Sequence, residues 1–222
     1  MWCTMKNSCL LLMALCLGAL WPGLLHAQRF TDNGDGTVTD HQTNLMWEKK
    51  TPAGTRGAHD VNNRYTWCGR SGEHFVCTDQ TEPPNGTVFT QFLYALNHGT
   101  SENGDSSIGC FDAHCDWRLP TIVELRTIFD STQGECAGLR GACIDPIFGP
   151  TFFGTTTVGV HTDPDNSFYW SLNSYVPTPP LPPSATGAWV VNFGYLLRRA
   201  IDVGALSKGA DTYARAVRSA TP

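Results

Sequence analysis

Apolar residues in this chain come in short runs separated by Gly, Pro, Asn and Asp, and the period of each run predicts its element. Asn33-Gly34 and Asp35-Gly36 are turn dipeptides beside the β-prone Thr37-Val38-Thr39, and Leu45-Met46-Trp47 comes next as a short strand. Together they predict a small β-meander near the start. Residues 49–86 are turn-rich, with Tyr65-Thr66-Trp67 as one apolar island. From Thr87 to Asn97, Phe89, Phe92, Leu93 and Leu96 fall at i, i+3, i+4 and i+7, the stripe of an amphipathic helix that Gly99 would end.

The block Asp116-Trp117-Arg118-Leu119-Pro120-Thr121-Ile122 carries the densest local signal. Proline lacks a backbone donor and suits a helix start, while Thr121 and Glu124 have the spacing of a capping box. This predicts a second helix over 121–130, with Ile122, Leu125, Ile128 and Phe129 as its buried face. Ile144 to Pro150 reads as a loop with apolar anchors. Phe168–Tyr175 and Ala188–Phe193 read as strands, with Tyr195–Ala200 continuing the hairpin through Gly194. Pro177–Pro183 is a proline-rich excursion between them. Tyr213–Arg218 reads as a closing strand, with Tyr213, Arg215 and Val217 on one face. Strands, then two helices, then strands again predict an α+β fold.

The first residues change the picture of length. Lys6 precedes an uncharged apolar run from Leu10 to Leu20, and Ala27 offers a small residue for cleavage. Residues 1–27 therefore read as a signal peptide, with Met1 or Met5 as the start, and 28–222 as one domain with loop insertions. The run is short for a bilayer span, and no later one is long enough. The chain is then exported, to the periplasm, the cell surface or the medium. Removing Lys6 and no acid leaves 14 basic and 20 acidic side chains. That balance argues against nucleic acid and against simple attraction to anionic membranes.

Three of the nine cysteines leave with the leader. The other six form local couples, and an even set in an exported chain reads as disulfides: Cys68–Cys77, Cys110–Cys115 and Cys136–Cys143. Zinc ranks below this, because the spacing lacks a ligand-pair rhythm. No metal is expected. Asp32, Asn33 and Asp35 faintly resemble a calcium loop, but Thr31 and Gln42 would take the first and last ligand positions, so a hairpin turn is the better reading.

A search for catalytic groups finds no nucleophile setting. His114 lies beside Cys115, but a bonded cysteine has no thiolate. The acids Asp112, Asp116, Glu124, Asp163 and Asp165 show no spacing for paired work; Asp116 would cap or pair with an arginine. Candidate ligand contacts lie on the later strands. Trp170 and Trp189 could stack on a sugar ring, but in a small α+β domain filling the core is the better reading. Asn173, Tyr175 and Asn192 could orient hydroxyls, and Arg198 could meet an anionic group. Trp117, Arg118, Pro120 and Glu124 form a structural signature, with Arg118 a strut paired to an acid.

These motifs together resemble the Lcl C-terminal domain family. The resemblance rests on Arg29–Asp40 with Leu45-Met46-Trp47, on Gly109–Thr121, and on Cys143–Phe148. It extends through Tyr169-Trp170-Ser171, Ala188–Phe193 and Tyr213–Arg218, covering nearly all of 28–222. It implies a C-type lectin-like fold, with two helices packed on small antiparallel sheets and a loop-rich face. It also implies an exported bacterial binding or adhesion module that recognises a surface glycan or protein without catalysis. The name-giving member carries the domain behind a collagen-like repeat and binds sulfated glycans; this chain has no such repeat and is acidic. A structural envelope protein without a small ligand, or an enzyme of the formylglycine-generating type, are the alternatives. Neither the ligand nor the oligomeric state is legible.

Overall fold

A computed structural model describes residues 28–71, 74–75, 84–99, 109–133, 142–151, 167–175, 187–194 and 203–221. Within them, β1 (Phe30–Asp32), β2 (Thr37–Asp40) and β3 (Leu45–Glu48) form the expected meander, and β9 (Val217–Ser219) pairs with β3 to give a four-stranded sheet of order β1-β2-β3-β9. A short ribbon, β4 (Arg70–Ser71) with β5 (His74–Phe75), lies in the stretch expected to be loop. The second main sheet, β6 (Phe168–Ser174), β7 (Gly187–Asn192) and β8 (Val203–Ser207), is antiparallel throughout. Two helical segments complete an α+β fold. Val88–Leu93 is wound as a π-helix running into α1 (Tyr94–His98), and α2 spans Ile122–Thr127.

The first helix departs from its expected stripe. Val88, Phe92 and Leu96 are the buried positions, with Phe89 and Leu93 only partly covered. The wider π turn brings residues four apart into line, whereas a 3.6-residue period selects 89, 92, 93 and 96. Gly99 closes α1 in the left-handed conformation (φ 66°), as expected of a helix C-terminus. The second helix is shorter than predicted. Thr121 is its N-cap, outside the helix, and at the far end Phe129 pairs with Ile144 while the Asp130 amide donates to the Cys143 carbonyl.

The apolar interior divides in two, and strand alternation sorts residues between the halves. Trp170, Ala188, Val190, Ala214 and Ala216 join Tyr65, Trp67, Trp117, Leu119 and the first helix in one cluster. Tyr169, Val191, Phe193, Tyr213 and Val217 join Trp47, Phe148 and α2 in the other. Residues 213–217 thus form a wall between two cores. This corrects the expected closing strand. Tyr213, Arg215 and Val217 do share a face, but Ala214 and Ala216 opposite are just as buried. Regular pairing is confined to 217–219, with a single bridge from Tyr213 to Tyr169.

Charges lie inside this wall. Arg215 is fully buried and donates from Nη1 to the carbonyls of Glu48 (2.7 Å) and Phe148 (2.9 Å), and from Nη2 to Thr151 Oγ1 (3.1 Å). The Glu48 carboxylate, also sealed from water, meets Lys50 Nζ (2.7 Å), His59 Nδ1 (2.9 Å) and the Ala216 amide (3.0 Å). Burial alone would raise the Glu48 pKa, but the Lys50 charge and the His59 hydrogen bond outweigh it and bring it down to about 2.

Cys110–Cys115 is a disulfide, as the local pairing requires. Cys68 and Cys143 are each disulfide-bonded as well, and their expected partners Cys77 and Cys136 lie outside the described residues. So do residues 1–27, Tyr195–Ala200 with Arg198, and Pro177–Pro183. No helix among the described residues is long and apolar enough to cross a membrane.

Candidate functional site: an aromatic ledge beside the second helix

The signature block builds the support. Arg118 grips Glu124 with two hydrogen bonds (2.8 and 2.7 Å), and Glu124 Oε2 also accepts from the Thr121 amide (2.7 Å), while Thr121 Oγ1 accepts from the Glu124 amide (3.2 Å). The capping box is therefore locked by an arginine, and that guanidinium holds the Glu124 carboxyl below its ordinary range. Backbone pairing of Arg118 with Val217 ties the block to the wall. Trp117 is buried, donates to the Phe111 carbonyl (3.0 Å), and has its own backbone bracketed by the Asn97 side chain. Buried Pro120 accepts from the Leu172 amide (2.8 Å). Asp116 meets Arg218 at 2.7 Å, 102 residues away, as its pairing role required.

Leu172 sits in a β-bulge between Trp170 and Ser174, where β6 loses register with β7. The bulge is stitched on every side. Ser171 Oγ donates to the Trp189 carbonyl (2.9 Å), and Asn173 Oδ1 accepts from the Ile122 amide (2.8 Å) at the start of α2. A bulge bends its strand and re-aims the residues beyond it. Here it delivers Tyr175 against Trp189 in an edge-to-face pair with centroids 4.9 Å apart. A Cβ on Gly187 would lie 3.2 Å from Tyr175 Cβ, so the missing side chain makes room for that ring.

Trp189 shares a face with Val191 and Phe193. The short α2 packs against this sheet, and Val191 and Phe193 are buried while Trp189 remains half-buried. Beside it lies a shallow, mainly apolar depression of about 270 Å³, lined by Ile122, Val123, Arg126, Trp189 and Val203. Val123 is 72% exposed, a large apolar side chain left in water at the helix start.

The predicted contact residues therefore part company. Trp189 and Tyr175 come together on the surface, and Asn173 stands beside them as a helix cap. Trp170 is fully buried, with its indole N–H donating to the Tyr65 carbonyl (2.7 Å), so it belongs to the core. Asn192 is buried too and accepts from the Gly194 amide (2.8 Å), which removes it from any ligand face. Ile122, Val123, Arg126 and Val203 were not expected. A solvent-facing valine in a helix starting at a capping box was the one signal that could have pointed to them.

The other candidates are occupied. Asp32 accepts from the Gly34 amide (3.1 Å) and from Lys49 Nζ, Asp35 accepts from the Thr37 amide (2.9 Å) and hydroxyl (2.6 Å), and the Asn33 amide donates to Thr37 and Thr39. The loop holds itself as a turn, and no metal-binding cluster of His, Cys, Asp and Glu occurs among the described residues. Glu48 is held by three donors and shut away from water, which keeps it out of reach of a substrate. His114 stands 3.9 Å from Asp112, and its neighbour Cys115 is bonded to Cys110 and so carries no thiolate.

Residues 36–218 match the family model described as Lcl C-terminal domain. The chain belongs to that family. No curated protein and no solved structure matches it significantly. The matched residues of this Lcl C-terminal domain run from just before β2 into β9 and include the locked capping box beneath the ledge.

Proposed function

We propose that this Lcl C-terminal domain is an exported recognition module. It holds a surface glycan, or a protein presenting one, on the ledge of Tyr175 and Trp189, with no chemical step. Residues 1–27 supply the export signal, and the fold is of the C-type lectin-like kind.

The observation that carries the reading is the Tyr175–Trp189 pair standing at the rim of an apolar depression with Arg126 at its edge. An aromatic face offers a sugar ring C–H-rich stacking, and a nearby guanidinium can donate to hydroxyl or acidic oxygens. Support also comes from the cysteines. Cys68, Cys110, Cys115 and Cys143 are all bonded, and an enzyme of the formylglycine-generating type needs a reactive thiol.

The test is a glycan array probed with the mature protein and with Trp189→Ala. One glycan class should be retained by the wild type and bound at least about tenfold more weakly by the variant, a loss of about 1.4 kcal/mol. No retained glycan, or equal retention by Trp189→Ala, would overturn the reading.

A further inference from the structure

A second cavity, of about 200 Å³, lies on the first core and is lined by Asn63, Arg64, Tyr65, Gln91 and Phe92 among others. Its cation, Arg64, is solvent-exposed and held by a phenol. Arg29, Arg118 and Arg218 each meet a carboxylate. Arg64 instead donates from Nε to the Tyr213 hydroxyl (3.1 Å), with its guanidinium carbon 5.2 Å from the centre of that ring. No acid pairs with it among the described residues. Tyr213 is buried in the wall, so the phenol is a fixed post.

This arrangement spends one donor on orientation and leaves the Nη1 and Nη2 fork for a ligand. Such a fork matches the two oxygens of a carboxylate in one plane. Gln91, on the exposed side of the π-helix, adds an amide with no partner among the described residues. Tyr65 and Phe92, with ring centroids 5.1 Å apart, are nearly buried, so the exposed lining is mainly polar.

We propose that the Arg64 cavity binds the carboxylate of a small organic acid, with the Gln91 amide beside it. The site is separate in its lining residues from the Trp189 ledge and stands whether or not that ledge binds a glycan.

The experiment is an NMR titration of the mature, oxidised protein with benzoate, with neutral benzamide and with sulfate, following backbone amides and the arginine Nε–H signals. Benzoate should give saturable shifts at Arg64, Gln91 and Tyr65, and bind about tenfold more tightly than benzamide or sulfate. Arg64→Gln should abolish the benzoate response. Tyr213→Phe keeps the ring, removes the post, and should weaken benzoate several-fold. The proposal falls if benzamide matches benzoate, if sulfate binds better than benzoate, or if a folded Arg64→Gln protein responds like the wild type. Should Arg64→Gln fail to fold, an unchanged response of Tyr213→Phe overturns it.

Discussion

Trp170 and Trp189 sit on neighbouring strands of one sheet and live in opposite environments. Trp170 pairs its backbone with Val190, points into the first core, and gives its indole hydrogen to the Tyr65 carbonyl. Trp189, one register position along, points to the other face, where α2 packs, and remains half-buried beside Tyr175. The same side chain is a frame element in one strand and display surface in the next. Strand parity and the span of one six-residue helix decide which. A buried tryptophan surrounded by protein stabilises; an exposed one is free to contact something else.

The largest expected effects lie on the buried side. Trp170→Ala should lower the unfolding free energy by about 3–5 kcal/mol through lost burial and the cavity left behind. Denaturant titration measures this, and a loss below about 1 kcal/mol would show that Trp170 is not the frame element described. Glu48→Gln should cost about 3 kcal/mol or more, because the buried Lys50 ammonium then loses the carboxylate it bonds directly. The conservative change in volume isolates charge from packing.

Acid titration sharpens the same point. The Glu48 carboxyl has its folded pKa lowered to about 2 from 4.5. The unfolded chain therefore binds the proton first as pH falls. The Glu48 contribution is complete above about pH 4.5 and is lost progressively toward pH 2. Stability measured between those values should fall with pH in the wild type and fall less steeply in Glu48→Gln. Equal slopes would remove Glu48 as the source.

Smaller effects belong to the ledge. Gly187→Ala should cost about 1 kcal/mol, since the new methyl would sit 3.2 Å from Tyr175 Cβ and push that ring away from Trp189. A change in the near-ultraviolet signal of the aromatic pair would report the displacement. Trp189→Ala should move stability least, by about 0.5 kcal/mol or less, while removing ligand binding. If Trp189→Ala destabilises as much as Trp170→Ala, the contrast between the two strands fails.

Much of the frame could be read from neighbouring residues, because its causes are local. The Thr121–Glu124 capping box, the turn at Asn33–Gly36, the helix stop at Gly99 and the Cys110–Cys115 disulfide all join residues within a few positions of one another. The resemblance of the motif blocks led to the family that the 36–218 match shows. What misled were cases in which distant partners overruled a local pattern. The α2 helix ends early because Phe129 finds Ile144. Asn192 looks like a surface binder by residue type, yet it lies on a face closed by packing from elsewhere, while Trp170 fills the core, the better of its two readings.

The chain's own order of residues thus settles its caps, turns, local bridge and α+β class, since each depends on groups separated by a turn or less. Folding in three dimensions alone decides the rest. It splits the interior into two cores, buries Arg215 and Glu48 between them, leaves Arg64 on a phenol instead of an acid, and sets Tyr175 against Trp189. These outcomes join residues up to 168 positions apart, as in the Ala216 amide bonded to Glu48. No local propensity encodes a contact that exists only once the sheets have closed on each other.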